Sequence, residues 1–322
     1  MQRQLNKPLA VGQTGLRYTV RPGMTLNAIA NELADKGILE HPTYFAFEAR
    51  RQGKASQIQA GQYQLATATT PLKLLDMFIK GRVIQYAFTL VEGWNFKQMI
   101  AAIAAEKNLI HTLGDASADE IMRRIGDVNV HPEGRFFPDT YYFTAGTTDV
   151  QMLQRAYRTM EHELERAWQG RDAKLPYTTP YEALIMASIV EKETAKPEER
   201  AEIAGVFVRR LKVGMKLQTD PTVIYALRDT FDGNLRRRDL GIDSPYNTYR
   251  HKGLTPTPIA MPSAAAIQAA LHPGDGDALY FVARGDGSHQ FSTTLREHNR
   301  AVARYQLRAS TPSRLGKRDE RK

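Results

Sequence analysis

Two carboxylates two residues apart, Glu191 and Glu193, close an otherwise apolar stretch that opens at Tyr181. From Ala183 to Val190 the residues are apolar nearly all round, the pattern of a helix buried within a domain. Pro197 follows closely enough to stop that helix. At roughly 100° per residue, Glu193 continues the face of Met186, Ile189 and Val190, whereas Glu191 lies about 160° away. A carboxyl group there is partly desolvated and near the negative end of the helix dipole, and both effects favour the protonated form. A carboxyl still protonated near neutral pH is what a general acid requires. The pattern equally describes two solvated glutamates at a helix end, and it does not choose between them.

Other candidate groups lie downstream. In Leu217-Gln-Thr-Asp-Pro-Thr-Val-Ile-Tyr, Asp220 reads as an N-cap with Pro221 at the first helical position. Ser244-Pro-Tyr-Asn-Thr-Tyr and Gly253-Leu-Thr-Pro-Thr-Pro-Ile-Ala-Met-Pro read as an ordered, non-repeating loop. Upstream, Pro132-Glu-Gly-Arg-Phe-Phe-Pro-Asp-Thr-Tyr-Tyr-Phe is the densest aromatic cluster, suited either to a sugar platform or to a core. His289 has no second ligand at helical or hairpin spacing, so no metal site is expected there. With no cysteine in the chain, disulfides and thiolate metal sites are excluded.

The elements that must position these groups suggest an α+β fold in 322 residues, 42% hydrophobic and 25% charged, which argues against wholesale disorder. The segment 16–83 reads as a separate module after a linker, 1–15. It has a strand at Tyr18, a Pro-Gly turn, a helix capped by Thr25, a helix over Pro42–Arg51, a strand at Gly61–Leu65 and a helix opened by Pro71. Its opening resembles the LysM-type glycan-binding module, although Met24 stands where that module has an acidic residue; spacer and glycan-binding roles both remain open. The larger part, 84–307, predicts a strand from Val83 to Val91 and helices over Phe96–Ala105, Asp115–Ile125, Asp149–Trp168 and Ser263–Ala270. A helix opened by Pro197-Glu-Glu-Arg, with acids in its first turn and Arg209, Arg210 and Lys212 in its last, is ended by Gly214; a hairpin from Leu279 through His289 and a last helix over Leu295–Tyr305 complete it. A basic tail, 308–322, carries Arg308, Arg314, Lys317, Arg318, Arg321 and Lys322. The net charge of +9 favours anionic partners: nucleic acid, lipid headgroups or an acidic wall polymer. Nucleic acid is disfavoured, because no aromatic-interleaved basic patch exists outside the tail.

Several motifs in order carry a resemblance over roughly Tyr18 to Tyr305. Ser188-Ile-Val-Glu-Lys-Glu-Thr, Leu217-Gln-Thr-Asp-Pro-Thr-Val-Ile-Tyr, Tyr246-Asn-Thr-Tyr with Gly253-Leu, Glu133-Gly through Phe137-Pro-Asp-Thr-Tyr, and Leu279-Tyr-Phe-Val through Gly287-Ser-His-Gln-Phe-Ser to Glu297-His-Asn are similar to the endolytic murein transglycosylases, the MltG or YceG-like family. The resemblance implies cleavage within peptidoglycan glycan strands at the muramic acid–glucosamine bond, leaving anhydromuramic ends, by one carboxylic acid and without a cofactor. It assigns the acid to Glu193 and places Glu191, as a supporting group, together with Gln218, Asp220, Tyr246, Asn247, Tyr249 and His289 at the substrate. It also implies an inner-membrane anchor and a catalytic domain facing the periplasm. Met1 to Ala10 holds no apolar run of that kind, so the anchor is expected to precede this sequence. Two other readings stand beside it. A muramidase-type hydrolase would need a second carboxylate, with Glu133, Asp139 and Asp220 as candidates. A non-catalytic glycan-binding scaffold would place cell-wall synthases on the strands.

Overall fold

A computed structural model describes residues 2–194 and 196–307; the basic tail predicted from the sequence lies outside them. The chain is mixed α+β, with small two-stranded sheets among helices, and divides into two compact units. The first comprises Met1–Phe88, Ile103–Gly114 and Thr140–Asp149. It holds α1 (Gln2–Leu5), β1 (Leu16–Val20), α2 (Leu26–Asp35), α3 (Pro42–Arg51), β2 (Gly61–Leu65), α4 (Pro71–Ile79) and β3 (Gln85–Thr89), with β3 paired to β4 (Thr140–Thr144). β1 and β2 run antiparallel, with Tyr18 opposite Tyr63 and Leu16 opposite Leu65. Strand alternation sends Tyr18, Val20, Tyr63 and Leu65 inward, where Ile29, Leu33, Phe45, Leu74 and Phe78 close the core. The Thr25 hydroxyl accepts the Ala28 N–H at 3.2 Å, and that of Thr70 accepts the Lys73 N–H at 3.3 Å, so both predicted helix starts are capped.

The second unit comprises Thr89–Ala102, Asp115–Asp139 and Val150–Lys322. Its elements are most of α5 (Phe96–Ala105), then α6 (Ala118–Ile125), α7 (Asp149–Gln169), α8 (Pro180–Glu193), α9 (Arg200–Lys212), α10 (Asp220–Leu227), α11 (Ala264–Leu271), β5 (Tyr280–Ala283), β6 (His289–Ser292) and α12 (Leu295–Val302). The apolar stretch of the sequence becomes the centre: every residue of α8 from Ala183 to Val190 is buried, packed against α9, α10 and α11. A capping box starts α8, Thr179 and Glu182 satisfying each other's backbone N–H groups. Ser188, the one polar residue in the buried run, donates to the Ile185 carbonyl at 2.7 Å and accepts the Ile259 N–H at 3.0 Å. That fastens the proline-rich loop, which carries neither helix nor strand from Asp243 to Ser263, against the core.

Three expectations shift. The helix predicted from Asp115 begins at Ala118, because the Ser117 hydroxyl caps it by accepting the Glu120 N–H at 3.3 Å. The last helix is α-helical only to Val302 and continues as a π-helical turn, Ala303–Leu307. The aromatic cluster is core at its centre: Phe136 is fully buried, with ring centroids 5.8 Å from both Phe96 and Tyr157. Among the described residues no helix is long and apolar enough to cross a membrane.

Candidate active site

α8 ends at Glu193 because Thr194 leaves in an extended conformation, φ −140° and ψ 138°. The two glutamates diverge as the helical period predicts. Glu193 turns to the start of α10, where the Thr219 hydroxyl donates to its Oε2 at 2.6 Å. Glu191 turns to the start of α11, where its Oε2 accepts the Ser263 N–H at 3.0 Å and the Ser263 hydroxyl at 2.5 Å. Glu191 thus holds a helix N-cap, away from the groups around Glu193, which corrects its expected place at the substrate.

Burial holds the Glu193 carboxyl above the usual carboxylate range. The Thr219 hydrogen bond pulls it down, the Asp220 charge pushes it up, and His289 and Arg210 pull it down; burial prevails. The position at a helix C-terminus acts with burial. The result is a carboxyl that keeps its proton to higher pH than an exposed glutamate, next to a donor that steadies the anion once the proton leaves.

Thr219 is held for this task. It stands at the N-cap of α10 yet its side chain makes no capping bond, since the hydroxyl is turned to Glu193. Its N–H donates to Thr248 Oγ1 at 3.1 Å, and its carbonyl accepts the Thr222 hydroxyl at 2.7 Å. Thr222 and Thr248 join through their hydroxyls at 2.9 Å, and all three threonines are buried. Gln218, just before, adopts φ +51°, a left-handed conformation uncommon for a residue with a side chain. Its N–H donates to the Thr248 carbonyl at 3.2 Å, and the residue, next in the chain to Thr219, is exposed.

The sequence reading of Asp220 as the N-cap is corrected: the cap position belongs to Thr219. The Asp220 carboxylate accepts the Tyr249 hydroxyl at 2.6 Å instead, and Tyr249 in turn senses the Glu193 charge. His289, at the start of β6, meets Glu199 Oε2 through Nδ1 at 2.6 Å and lies close enough to Glu193 to affect its protonation. Arg210, only 6% exposed, donates through Nε to the Leu279 carbonyl at 2.7 Å and through Nη1 to the Leu217 carbonyl. Glu193, Asp220, Tyr249 and His289 therefore form one cluster, with Gln218 exposed one residue before Thr219. The profile of the YceG-like family matches residues 18–304.

The chain belongs to the YceG-like family. It is 35% identical over 311 residues to the endolytic murein transglycosylase of Bacillus subtilis, an alignment covering 91% of this chain and 85% of that protein. It is 28% identical over 347 residues to the endolytic murein transglycosylase of Streptococcus pneumoniae, covering 94% of this chain but 61% of the longer relative. A crystal structure of a YceG-like protein from Listeria monocytogenes superposes with a TM-score of 0.57 at 27% identity, covering 90% of this chain and 99% of that one.

Two predicted site residues of this YceG-like chain lie elsewhere. Asn247 is fully buried; its amide donates to the Leu240 and Ile242 carbonyls at 3.0 and 2.8 Å and accepts the Tyr249 N–H at 3.0 Å. It braces the loop from beneath and has no exposed atom to offer a sugar, a correction to its expected role. Tyr246 sits in a second cluster, its hydroxyl 2.9 Å from Thr257 Oγ1 and its ring 5.0 Å from Tyr225. In the same cluster the Tyr225 hydroxyl donates to Glu133 at 3.0 Å. Thr219, Arg210 and Glu199 were not singled out by their chemistry in the sequence. Thr219 reads there as part of a helix start, Arg210 as a last-turn charge and Glu199 as a first-turn acid.

Proposed function

We propose that this protein is a lytic transglycosylase that cleaves peptidoglycan glycan strands internally, with Glu193 as its acid and base. The observation that carries this reading is the Thr219–Glu193 pair: a carboxyl made reluctant to ionise by burial, yet given one hydroxyl donor for the moment it does. Family membership and the names of the relatives in Bacillus and Streptococcus support the substrate class.

In the first step the Glu193 proton passes to the glycosidic oxygen as the bond from the muramic acid C1 to that oxygen breaks, freeing the glucosamine hydroxyl. The ionised Glu193, now accepting from Thr219, takes the proton of the muramic acid 6-hydroxyl as its oxygen bonds to C1. The anhydro ring closes, no water is consumed, and Glu193 regains its starting form. Asp220, Tyr249 and His289 lie near the reacting carboxyl, and with the exposed Gln218 they suit the hydroxyl and acetamido groups of the sugar. Membrane anchoring at the outer face of the inner membrane completes this reading.

A second reading has one observation in its favour. Asp220 is a carboxylate close enough to raise Glu193, and a muramidase-type hydrolase needs such a partner. The Tyr249 hydroxyl bound to Asp220 at 2.6 Å speaks against Asp220 as a free nucleophile or base. Glu133, the one buried candidate, is bound by the Phe96 N–H at 2.9 Å and by Tyr225. Mass spectrometry of nascent, uncrosslinked peptidoglycan incubated with the wild type, Glu193→Gln and Glu191→Gln decides. Anhydromuramic ends from the wild type and Glu191→Gln, and none from Glu193→Gln, are expected. Reducing ends would establish water as acceptor, and binding without cleavage by the wild type would favour the scaffold.

A further inference from the structure

Glu199 takes no part in the proton transfers assigned to Glu193, yet both its oxygens are committed to one residue. Oε1 accepts the backbone N–H of His289 at 2.9 Å, and Oε2 meets the ring Nδ1 at 2.6 Å. The two side chains are 14% and 13% exposed, so this is a largely desolvated pair. Glu199 is placed by a 3₁₀ turn, Pro197–Glu199, that leads directly into α9. His289 is placed by the hairpin turn before it. There Asp286 Oδ1 accepts the Ser288 N–H at 2.8 Å and the Ser288 hydroxyl at 2.6 Å, between Gly285 and Gly287 at φ +92° and +82°. Each partner is therefore held by its own local structure as well as by the other.

The ring has little freedom left. It stands edge-on to Phe281, centroids 5.4 Å apart and planes at 88°, with Phe291 at 6.5 Å. A ring nitrogen 2.6 Å from a carboxylate oxygen carries a proton, so Nδ1 is the donor and Nε2 is the nitrogen left to face other groups. The charges felt by Glu193 are those of Asp220, His289 and Arg210. Those felt by Glu199 are His289 and Lys196, and Glu202 in turn feels Glu199. His289 is thus a group that both carboxylates feel. A carboxylate that orients an imidazole toward a reacting group is a recurring arrangement, and its effect is lost when either member is removed.

We propose that Glu199 is a positioning residue of the Glu193 site and acts through His289: its carboxylate fixes the Nδ1–H form and the orientation of the ring, so that Nε2 faces the Glu193 carboxyl while that group gives up and regains its proton. This deepens the reading of Glu193 as the acid and rests on it. A Glu199 of purely structural use would tie the hairpin to the 3₁₀ turn and leave Glu193 indifferent to its loss.

The experiment uses the full chain as wild type, Glu199→Ala, Glu199→Gln, His289→Ala and the double variant Glu199→Ala with His289→Ala. Glu199→Gln retains an amide oxygen for the His289 backbone N–H, which guards against loss of the fold, while its NH2 group cannot accept from Nδ1. NMR of protein labelled at histidine nitrogens and glutamate carboxyl carbons reads the His289 ring form and the Glu193 titration without any turnover. Release of His289 removes a group that draws the Glu193 proton off, so in Glu199→Ala and Glu199→Gln the Glu193 midpoint is expected to rise by about half a pH unit or more. The Nδ1–H signature is expected to give way to mixed ring forms in both. On uncrosslinked strands kcat is expected to fall about tenfold with KM held within about twofold, and the double variant to be no slower than the slower single variant. An unmoved Glu193 midpoint in folded Glu199→Gln overturns the proposal, as does a double variant whose loss is the product of the single losses. If the wild type makes no anhydromuramic ends, the transglycosylase reading falls, while the Glu193 midpoint still decides whether Glu199 controls that carboxyl.

Discussion

Replacing Glu133 by Gln keeps a side chain's shape and removes one titration, and the structure sets the size of the effect. Glu133 is 3% exposed; its Oε1 accepts the Phe96 N–H at 2.9 Å and its Oε2 the Tyr225 hydroxyl at 3.0 Å. Burial outweighs those hydrogen bonds and pushes the carboxyl from 4.5 to about 7. The folded chain then holds a proton that the unfolded chain releases, so stability present in full below pH 4.5 is lost as pH rises through 7. At 1.36 kcal/mol per pH unit that window is worth about 3 kcal/mol. In Glu133→Gln the amide oxygen accepts the Phe96 N–H and the amide nitrogen donates to Tyr225, as the protonated acid would. Its second N–H costs about 1 kcal/mol at every pH. The variant's stability relative to wild type is therefore expected to climb by about 3 kcal/mol between pH 4.5 and 7.5. Urea unfolding followed by tryptophan fluorescence measures it, since Trp94 and Trp168 lie in the same compact unit as Glu133. A difference that stays flat across the window, or one that falls, refutes the assignment of a buried, proton-holding Glu133.

Thr219→Val replaces the hydroxyl that donates to Glu193 at 2.6 Å with a methyl of the same shape. A hydrogen bond to a charged group contributes about 1.5–3 kcal/mol, so the alkaline limb of kcat/KM, set by loss of the Glu193 proton, is expected to move up by about one pH unit or more; a limb that stays in place removes Thr219 from the tuning of the acid. Asn247→Ala leaves the Leu240 and Ile242 carbonyls and the Tyr249 N–H without their partner. It is expected to cost about 2–4 kcal/mol in denaturant unfolding with KM nearly unchanged; a raised KM in a stable variant would mean the amide meets the glycan after all.

What the sequence made legible is whatever depends on short-range pattern. The buried α8 and the divergence of Glu191 from Glu193 both follow from a 3.6-residue period, and the capped starts at Thr25 and Thr70 follow from local hydroxyl chemistry. Glu199 shows where that stops. Its partner is His289, ninety residues on, and nothing within a helix-length window separates a first-turn acid that steadies a dipole from one that grips an imidazole.

Thr219 and Asp220 make the sharper case, because local rules gave a definite answer and tertiary contacts overrode it. Ser, Thr and Asp before Pro predict a side chain folded back onto its own helix. Here Thr219 holds the cap position with its hydroxyl on Glu193, and Asp220 gives its carboxylate to Tyr249, so neither side chain caps α10. An uncapped helix start gives up about 1 kcal/mol. A protein that tolerates this at the start of α10, opposite the carboxyl that ends α8, has traded local stability for the geometry of that carboxyl. Departures from local preference are expected to gather where a site must be built. The left-handed Gln218 beside that same start is a second departure, and both lie on the segment that delivers the hydroxyl to Glu193.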